Sequence, residues 1–281
     1  MPGVGRISAE NMGLDILGLW DFNRPEVSET RFRKALADAT KDEQIILQTQ
    51  IARTYGLRKD FAAAQEILAT LEPRLSESCA EANVRYWIEL GRTYCSPAHP
   101  KEARTDEAKE MGRVAYMNAF ECAKAAKLDY LAVDALHMMT MVDPAPEAQI
   151  EWNHKALEYM EHSDQEDAKK WEGSLRYNLG YALHLAGRYE DALAESERSI
   201  DAYERAGRPK DVRYTKWMIA WTYRAMERYT EALEIQLALE KEWTAEGVKP
   251  KYVIEELAHI YRAMGDEAKA ADYEQLNSQP T

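Results

Sequence analysis

A small residue that recurs at a nearly constant step constrains this chain more than any other feature. Ala192, Ala232 and Ala270 are separated by steps of 40 and 38 residues. Leu179 and Ile219 each lie 13 residues before the alanine of their own copy. A fixed period of this size indicates a repeat array, in which each unit packs only on its neighbours. We therefore predict an all-α chain of stacked helical hairpins whose function is carried on a stacked surface.

The same pattern extends toward the N-terminus with fewer identities. Helical spacing of apolar residues predicts a first unit from Asp42 to Pro73, and proline pairs interrupt the second and third units. Ala148 follows Ala135 by 13 residues, so the third unit keeps the offset of the later ones. We predict a lead and capping half-repeat over residues 1–40, an array over 41–274 and a polar tail over 275–281, with the first dozen residues and the tail flexible.

The amino-acid composition favours some cellular locations and some classes of binding partner over others. The 281 residues are 46% hydrophobic and carry a formal net charge of −13, which favours a folded, acidic protein. Nucleic acids and anionic membranes are expected to be repelled, because affinity for both comes mainly from basic residues. Three cysteines without CxxC spacing indicate a reducing compartment, and we see neither a signal peptide nor a run of about 18 apolar residues. We expect a soluble, cytoplasmic protein.

The repeated pattern resembles the tetratricopeptide repeat family over about Thr40 to Glu274. The residues that match the motif are Leu90-Gly91 with Tyr94, Leu179-Gly180 with Gly187 and Ala192, Tyr223 with Ala232, and Tyr261 with Gly265 and Ala270. Units near 40 residues, and the run Tyr189 to Leu193, are similar to the kinesin light chain type of these repeats. The resemblance implies a right-handed superhelix, an α-solenoid of about six helix–turn–helix repeats.

The resemblance also implies which residues line a concave surface on the first helix of each repeat. Two places after the leucine of the Leu-Gly pair stand Arg53, Arg92, His137, Tyr181, Trp221 and His259, and five places after it stand His184, Arg224 and Arg262. Tyr177 and Trp217 precede it by two places, Tyr214 and Tyr252 lie one turn earlier, and Asn178 stands directly beside it. Glu255 is the one carboxylate that we expect on this lining, so the pattern predicts basic and aromatic side chains inside and acidic ones outside.

Such a lining suits an acidic ligand. Arginine binds carboxylates through two parallel hydrogen bonds, and aromatic rings stack on peptide planes and other rings. Our first hypothesis is an interaction scaffold or adaptor that binds a peptide or protein segment, acidic or carboxylate-bearing, in the groove. Arg53, Arg92, Arg224 and Arg262 would bind the anion, and Tyr177, Tyr181, Trp217 and Trp221 would stack on the ligand.

Other interpretations of the sequence remain open. One alternative is that the lining is ordinary amphipathic helix surface. Another is that the chain is a sensor that encloses a small molecule or signalling peptide within repeats four to six. An enzyme would use His184 or His259 as acid and base, with Cys95 or Thr140 as the nearest nucleophiles. We predict a protein that is not an enzyme.

The sequence also bears on metal binding and self-association. His154, Glu158 and His162 share one helix face but lack a fourth ligand, so we predict no metal site and no cofactor. Self-association through an exposed end of the array is a further expectation, because uncapped repeats stack on one another.

Overall fold

The computed structural model describes residues 14–278, except for the side chain of Lys101. Within this range the regular elements are helices, so the predicted all-α class is confirmed. The predicted flexible lead lies outside the described residues, as does the end of the tail. None of the helices of residues 14–278 combines the length and apolar character needed to cross a bilayer. The chain divides into two compact units between Val142 and Asp143.

The N-terminal unit contains seven of the helices that the structure describes. They are α1 (Ile16–Leu19), α2 (Pro25–Ala35), α3 (Lys41–Leu57), α4 (Phe61–Leu71), α5 (Ala80–Tyr94), α6 (Asp106–Ala125) and α7 (Asp129–Val142). Short 3₁₀ turns cover Leu36–Asp38, Glu72–Glu77 and Lys101–Ala103. Each long helix packs on the next one along the chain, and α3 also packs on α5. This sequential packing is what a repeat array requires.

The C-terminal unit contains eight helices within its described residues. They are α8 (Pro146–Glu161), α9 (Glu166–Lys169), α10 (Glu172–Leu185), α11 (Tyr189–Arg205), α12 (Pro209–Ala225), α13 (Tyr229–Ala245), α14 (Lys251–Ala263) and α15 (Glu267–Ser278). The pairs α10/α11, α12/α13 and α14/α15 are the three hairpins that the recurring alanines predict.

Two details differ from the sequence analysis. The third predicted repeat is divided, because α7 belongs to the N-terminal unit while α8 belongs to the C-terminal unit and packs on α10. The predicted polar tail is helical at residues 275–278, which continue α15 where that helix packs on α14. The boundaries at residues 40 and 274 stay a prediction.

Close helix crossings explain why small residues recur. Ala192, Ala232 and Ala270 are all buried, at 1%, 0% and 0% exposure. At Gly91 an added Cβ would come within 2.5–2.8 Å of the Tyr116 ring, so only glycine permits this crossing of α5 and α6. The repeat period is therefore set by the points where backbones approach one another.

The turns between helices are tight and partly left-handed. Gly187, Gly207 and Gly247 adopt positive φ angles of 75°, 64° and 72° where helices end. Lys59 and Glu227 adopt the same conformation, at 66° and 60°, although both carry a Cβ. The turns at Gly187, Lys59 and Glu227 fold a second helix back on its first helix, and those at Gly207 and Gly247 connect one hairpin to the next. First helices of successive repeats therefore contact one another within a unit, as α10 and α12 do.

Candidate ligand-binding site

Four aromatic side chains form a continuous row on the C-terminal unit, which we call the aromatic ladder. It consists of Tyr181 on α10, Trp217 and Trp221 on α12, and Tyr252 on α14. Ring centroids are 5.8 Å apart for Tyr181 and Trp221, 5.7 Å for Trp221 and Trp217, and 6.3 Å for Trp217 and Tyr252. The ladder thus brings together two residues that follow the leucine-like position of their repeats by two places, one that precedes it by two and one that precedes it by five.

Helical geometry and one hydrogen bond hold the ladder in place. Trp217 and Trp221 are four residues apart, so their rings stack on one face of α12 with planes inclined by 21°. The indole Nε1 of Trp217 donates a hydrogen bond to the backbone carbonyl of Tyr252 over 3.1 Å, which joins α12 to α14. Tyr181 and Tyr252 are 39% and 67% exposed. The ladder is thus fixed at its centre and open to solvent at both ends.

His184 lies behind the ladder. Its imidazole is buried, and its Nδ1 lies 2.9 Å from the hydroxyl of Thr222. That hydroxyl donates its proton to the backbone carbonyl of Met218, so Nδ1 of His184 must be the donor and Nε2 the acceptor. Burial, assisted by the nearby charge of Arg224, lowers the pKa of His184 to about 4. The imidazole is therefore neutral at pH 7.

Arg224 is occupied by a neighbouring carboxylate. Its Nε donates to Oε1 of Glu256 over 2.5 Å and its Nη2 to Oε2 over 3.2 Å. Glu256 is buried on α14, so this ion pair joins repeats five and six. Glu256 therefore neutralises the charge of the Arg224 guanidinium. The main role of Arg224 is to hold α12 against α14.

The remaining residues predicted on α14 lie apart from the ladder. Arg262 pairs with Glu274 over 2.9 Å and with Glu267 over 3.5 Å, both on α15. His259 is exposed and lines a pocket of about 390 Å³. The other residues lining that pocket are Glu255, Ala258, Glu274, Asn277 and Ser278.

In the N-terminal unit, Arg92 lies at the centre of an ion-pair cluster. Its Nη2 donates to both carboxylate oxygens of Asp134, over 2.7 and 2.8 Å, and its Nη1 donates to Glu89 over 2.5 Å. Burial acts to raise the pKa of Asp134, but the positive charges of Arg92 and Arg53 outweigh it and hold that pKa below its usual value. The cluster connects α5 with α7.

Arg53 is held more loosely than Arg92. Its Nη1 lies 3.9 Å from Glu89, and its guanidinium stands 5.3 Å from the centroids of Trp20 and Phe22, two rings stacked on one another. His137 is half-buried on α7, and burial lowers its pKa. Arg53 and His137 thus lie on the predicted helices of the N-terminal unit, not in the ladder.

Three other predicted residues flank the ladder on α10 and α12. Tyr177 and Asn178 are half-buried, and burial raises the pKa of the Tyr177 phenol to about 12. Tyr214 is exposed, and its ring centroid lies 6.0 Å from that of Trp243.

The expected segregation of charge is wrong. Glu89, Asp134 and Glu256 stand one residue before the leucine-like position of their helices and bind the arginines of the lining, so Glu255 is not its one carboxylate. The family pattern directs other positions into the groove and therefore does not predict this one. The regular recurrence of an acid there in three first helices was the available signal.

A pocket of about 300 Å³ lies between α12, α13 and α14, and the sequence pattern did not predict it. Its lining residues are Arg213, Tyr214, Trp217, Trp243, Val248, Lys249, Pro250, Lys251, Tyr252 and Val253. The chain between α13 and α14 has five residues, where the turns after α10, α11 and α12 have three. That longer connection, rich in apolar and basic residues, was the signal in the sequence.

The described residues show no metal centre: within 14–278, three or more His, Cys, Asp or Glu side chains nowhere converge in a way that could hold an ion. His154, Glu158 and His162 all lie on α8 or at its end.

Comparison with known proteins identifies the repeat type. Residues 171–237 match the family model of the tetratricopeptide repeat. No curated protein matches the chain in sequence. The resemblance inferred from the Leu-Gly and alanine motifs is confirmed.

Solved structures with a similar fold cover most of the chain. The apo form of RapI has 11% identity and a TM-score of 0.69, with 93% of this chain and 72% of that one covered. A signal transduction ATPase with a tetratricopeptide repeat sensor from Pyrococcus horikoshii has 12% identity and a TM-score of 0.66, with 90% and 39% covered. NprR in complex with its cognate peptide NprX has 13% identity and a TM-score of 0.55, with 93% and 75% covered. At these identities the similarity shows the fold, and it confirms the predicted solenoid of tetratricopeptide-type repeats.

Proposed function

Because residues 171–237 of this chain are tetratricopeptide repeats, we propose that it is a protein-interaction module that binds an extended peptide or protein segment on the aromatic ladder. The observation that carries this proposal is the unbroken row of Tyr181, Trp221, Trp217 and Tyr252 across three repeats. Exposed aromatic side chains in such a row are typical of the residues that contribute most to binding at protein interfaces.

The spacing of the ladder fits an extended chain. Neighbouring rings are 5.7–6.3 Å apart, and alternate residues of an extended peptide repeat about every 6.6 Å. Each ring could therefore stack on every second peptide plane or side chain of a bound segment. Because the Trp217 and Trp221 rings are already ordered, a ligand would not have to immobilise them on binding.

The proposed acidic character of the ligand now depends on fewer arginines. Arg92 and Arg224 are committed to carboxylates that are themselves buried. Arg262 pairs with the more exposed Glu274, and an exposed ion pair of this kind exchanges readily for another anion. We therefore retain Arg262 as the candidate anion-binding residue of the C-terminal unit and assign Arg92 and Arg224 to positioning. An anion-binding role of Arg53, on α3 of the N-terminal unit, stays a prediction.

Relatives in fold support a peptide ligand. NprR was solved with its cognate peptide NprX, and the Pyrococcus horikoshii ATPase carries a tetratricopeptide repeat sensor. Cys79, Cys95 and Cys122 form no disulfide within the described residues, which fits a reducing, cytoplasmic setting. That the protein has no catalytic activity, and that it self-associates through an array end, both stay predictions.

A second candidate is the sensor of a compact ligand. The pocket of about 300 Å³ between α12, α13 and α14 favours it, since that volume is at the lower end of those that hold small molecules. This pocket lies within repeats five and six, in the part of the chain where the sequence predicts an enclosed ligand.

Selection of peptides from a random library displayed on phage tests the first proposal. We expect the wild-type protein to enrich a family of peptides, and Trp221→Ala to weaken their binding by at least about tenfold in calorimetry. Tyr252→Ala, which removes an exposed ring while Trp217 bonds only to its backbone, should act in the same direction. Trp152→Ala removes a tryptophan of α8 outside the ladder and is the matched control.

Helicity and thermal unfolding of each variant are measured alongside binding. The proposal fails if no peptide is enriched, or if the enriched peptides bind folded Trp221→Ala and Tyr252→Ala as well as the wild type.

A further inference from the structure

We propose that the pocket between repeats five and six binds an aromatic group that carries a carboxylate, of which the C-terminal aromatic residue of a peptide is the natural form. We call it the Trp217 pocket, lined by the residues of α12, α13, α14 and their connection given above. The inference deepens the proposed function, on which it rests for the peptide that would deliver this group.

The walls of the Trp217 pocket are suited to a flat apolar group. Trp217 and Tyr252 meet edge to face at 6.3 Å, and Tyr214 and Trp243 are inclined by 45° at 6.0 Å. Val253 adds a buried aliphatic surface. Aromatic rings pack best against other rings in such tilted and edge-to-face arrangements. A volume of about 300 Å³ has room for one aromatic group but not for a helix or strand.

The indole wall of the pocket is held in place by contacts with neighbouring side chains. Trp243 is buried, and the guanidinium of Arg213 lies 4.5 Å above its ring. Arg213 is in turn held by Glu242 over 3.2 Å and by Glu246, both of which lie outside the pocket lining. These contacts fix the indole wall, so binding would require little reorganisation.

Charge at the rim favours an anion. The described residues that line the pocket include Arg213, Lys249 and Lys251 but no carboxylate. Arg213 is neutralised by its glutamates, so the attraction comes mainly from Lys251, which is exposed. Lys251 is the first residue of α14, whose first turn holds no acidic side chain, and the partial positive charge of that turn acts in the same direction.

The Trp217 pocket is continuous with the aromatic ladder. Trp217 and Tyr252 belong to both, and the hydrogen bond from Trp217 Nε1 to the Tyr252 carbonyl holds them together. A segment that lies along the ladder from Tyr181 would therefore reach the pocket at its end. This geometry places a terminal aromatic residue in the pocket and its carboxylate beside Lys251.

Fluorine NMR with three probes tests the inference on the full chain. The probes are fluorinated N-acetyltryptophan, its uncharged primary amide, and an acetylated tetra-alanine peptide that ends in the same fluorinated residue with a free carboxylate. We expect the acid to bind saturably and about tenfold more tightly than the amide, because only the acid pairs with the rim. The peptide should bind more tightly than the acid.

Two variants and a control locate the binding. Val248→Trp places a bulky ring at the half-exposed rim and should weaken all three probes by at least about tenfold. Lys251→Glu should abolish the preference for acid over amide. Lys241→Glu makes the same charge change at an exposed site of α13 that does not line the pocket, and should leave the preference intact.

The outcomes separate this inference from the proposed function. No saturable binding of the acid, or binding unchanged in Val248→Trp, overturns the pocket even if library peptides bind the ladder. Binding of the free acid with the expected Val248→Trp loss supports the pocket. The pocket can also be supported while the proposed peptide function fails. This is the outcome if Trp221→Ala does not change binding of the peptide probe and no library peptide is enriched, and the pocket is then a site for free aromatic acids.

Discussion

The imidazole of His184 lies face to face with the indole of Trp221, with ring centroids 3.5 Å apart and planes inclined by 28°. His184 sits on α10 and Trp221 on α12, so this contact joins the first helices of two successive repeats. The hydroxyl oxygen of Thr222 accepts a hydrogen bond from Nδ1–H of His184, and the positive charge of Arg224 disfavours protonation of the imidazole. The stack therefore requires the neutral form of the histidine.

This requirement predicts that stability depends on pH. Burial lowers the pKa of His184 from 6.5 to about 4, so between these values the unfolded chain binds a proton that the folded chain does not. The free energy of unfolding should therefore fall as the pH decreases from 6.5 to about 4, by up to about 1.4 kcal/mol per pH unit. Urea unfolding at a series of pH values measures this slope.

His184→Phe keeps a ring against Trp221 but cannot titrate. We expect it to be less stable than the wild type above pH 6.5, because the bond to Thr222 is lost, with the difference shrinking toward pH 4. His99 and His137, whose pKa values burial also lowers, are present in both proteins and cancel in the comparison. Parallel stability curves for the two proteins would contradict the prediction.

A second prediction concerns Arg92 and Asp134, which form two hydrogen bonds across the N-terminal unit. Asp134→Ala should reduce the free energy of unfolding by about 3 kcal/mol, because it leaves a largely buried guanidinium with Glu89 as its one ion-pair partner among the described residues. Arg92→Ala should have a similar effect, and the double variant should lose less than the sum of the two. Chemical denaturation of all three variants measures the coupling.

An exposed ion pair is the matched control. Arg205 and Glu172 pair in the C-terminal unit, with the Arg205 side chain 64% exposed. Arg205→Ala should change stability by less than about 1 kcal/mol. Additive losses in the Arg92 and Asp134 double variant would show that their pair contributes no coupling.

The fold could be predicted because its cause is local and periodic. Each close crossing needs a small residue at a fixed place, so Ala192, Ala232 and Ala270 mark the crossings directly in the sequence. The ladder could be predicted for the same reason, because Trp217 and Trp221 share a helix face by spacing alone.

What could not be predicted depends on contacts between helices. The family pattern says which positions face the groove but not that Glu256 reaches Arg224 from the next repeat over 32 residues of sequence. The Trp217 pocket depends likewise on Trp243, at the end of a second helix, and on the path of the chain from Val248 to Pro250. Side chains from three elements come together there, and the periodic pattern of one helix does not predict contacts between three.

A third prediction follows from two turns with matching sequences. Ala186-Gly187-Arg188-Tyr189 and Met226-Glu227-Arg228-Tyr229 occupy the same place in repeats four and five, and Gly187 and Glu227 both have left-handed φ angles. A Cβ is unfavourable in this conformation by about 1 kcal/mol. Glu227→Gly should therefore raise the free energy of unfolding by somewhat less than that amount, as measured by urea denaturation.

Gly187→Glu is the reciprocal variant. An added Cβ at Gly187 meets no described atom within 4 Å, so any loss of stability comes from the backbone conformation alone. We expect a loss of about 1 kcal/mol. If both substitutions are neutral, the left-handed turns do not contribute to the stability of the repeats.

The fourth prediction compares two glycines that lie within helices of the N-terminal unit. At Gly91 on α5, an added methyl group would overlap the fully buried ring of Tyr116, whose hydroxyl donates to the Cys95 carbonyl and so cannot move away freely. Gly91→Ala should therefore reduce the free energy of unfolding by about 1–3 kcal/mol through overpacking. At Gly56 on α3, no described atom lies within 4 Å of an added methyl group. Gly56→Ala should therefore raise the free energy of unfolding by up to about 1 kcal/mol, because alanine has the higher helix propensity. Urea denaturation of both variants decides the matter, because a gain at Gly91 equal to that at Gly56 would mean that the small residue is not required where α5 and α6 cross.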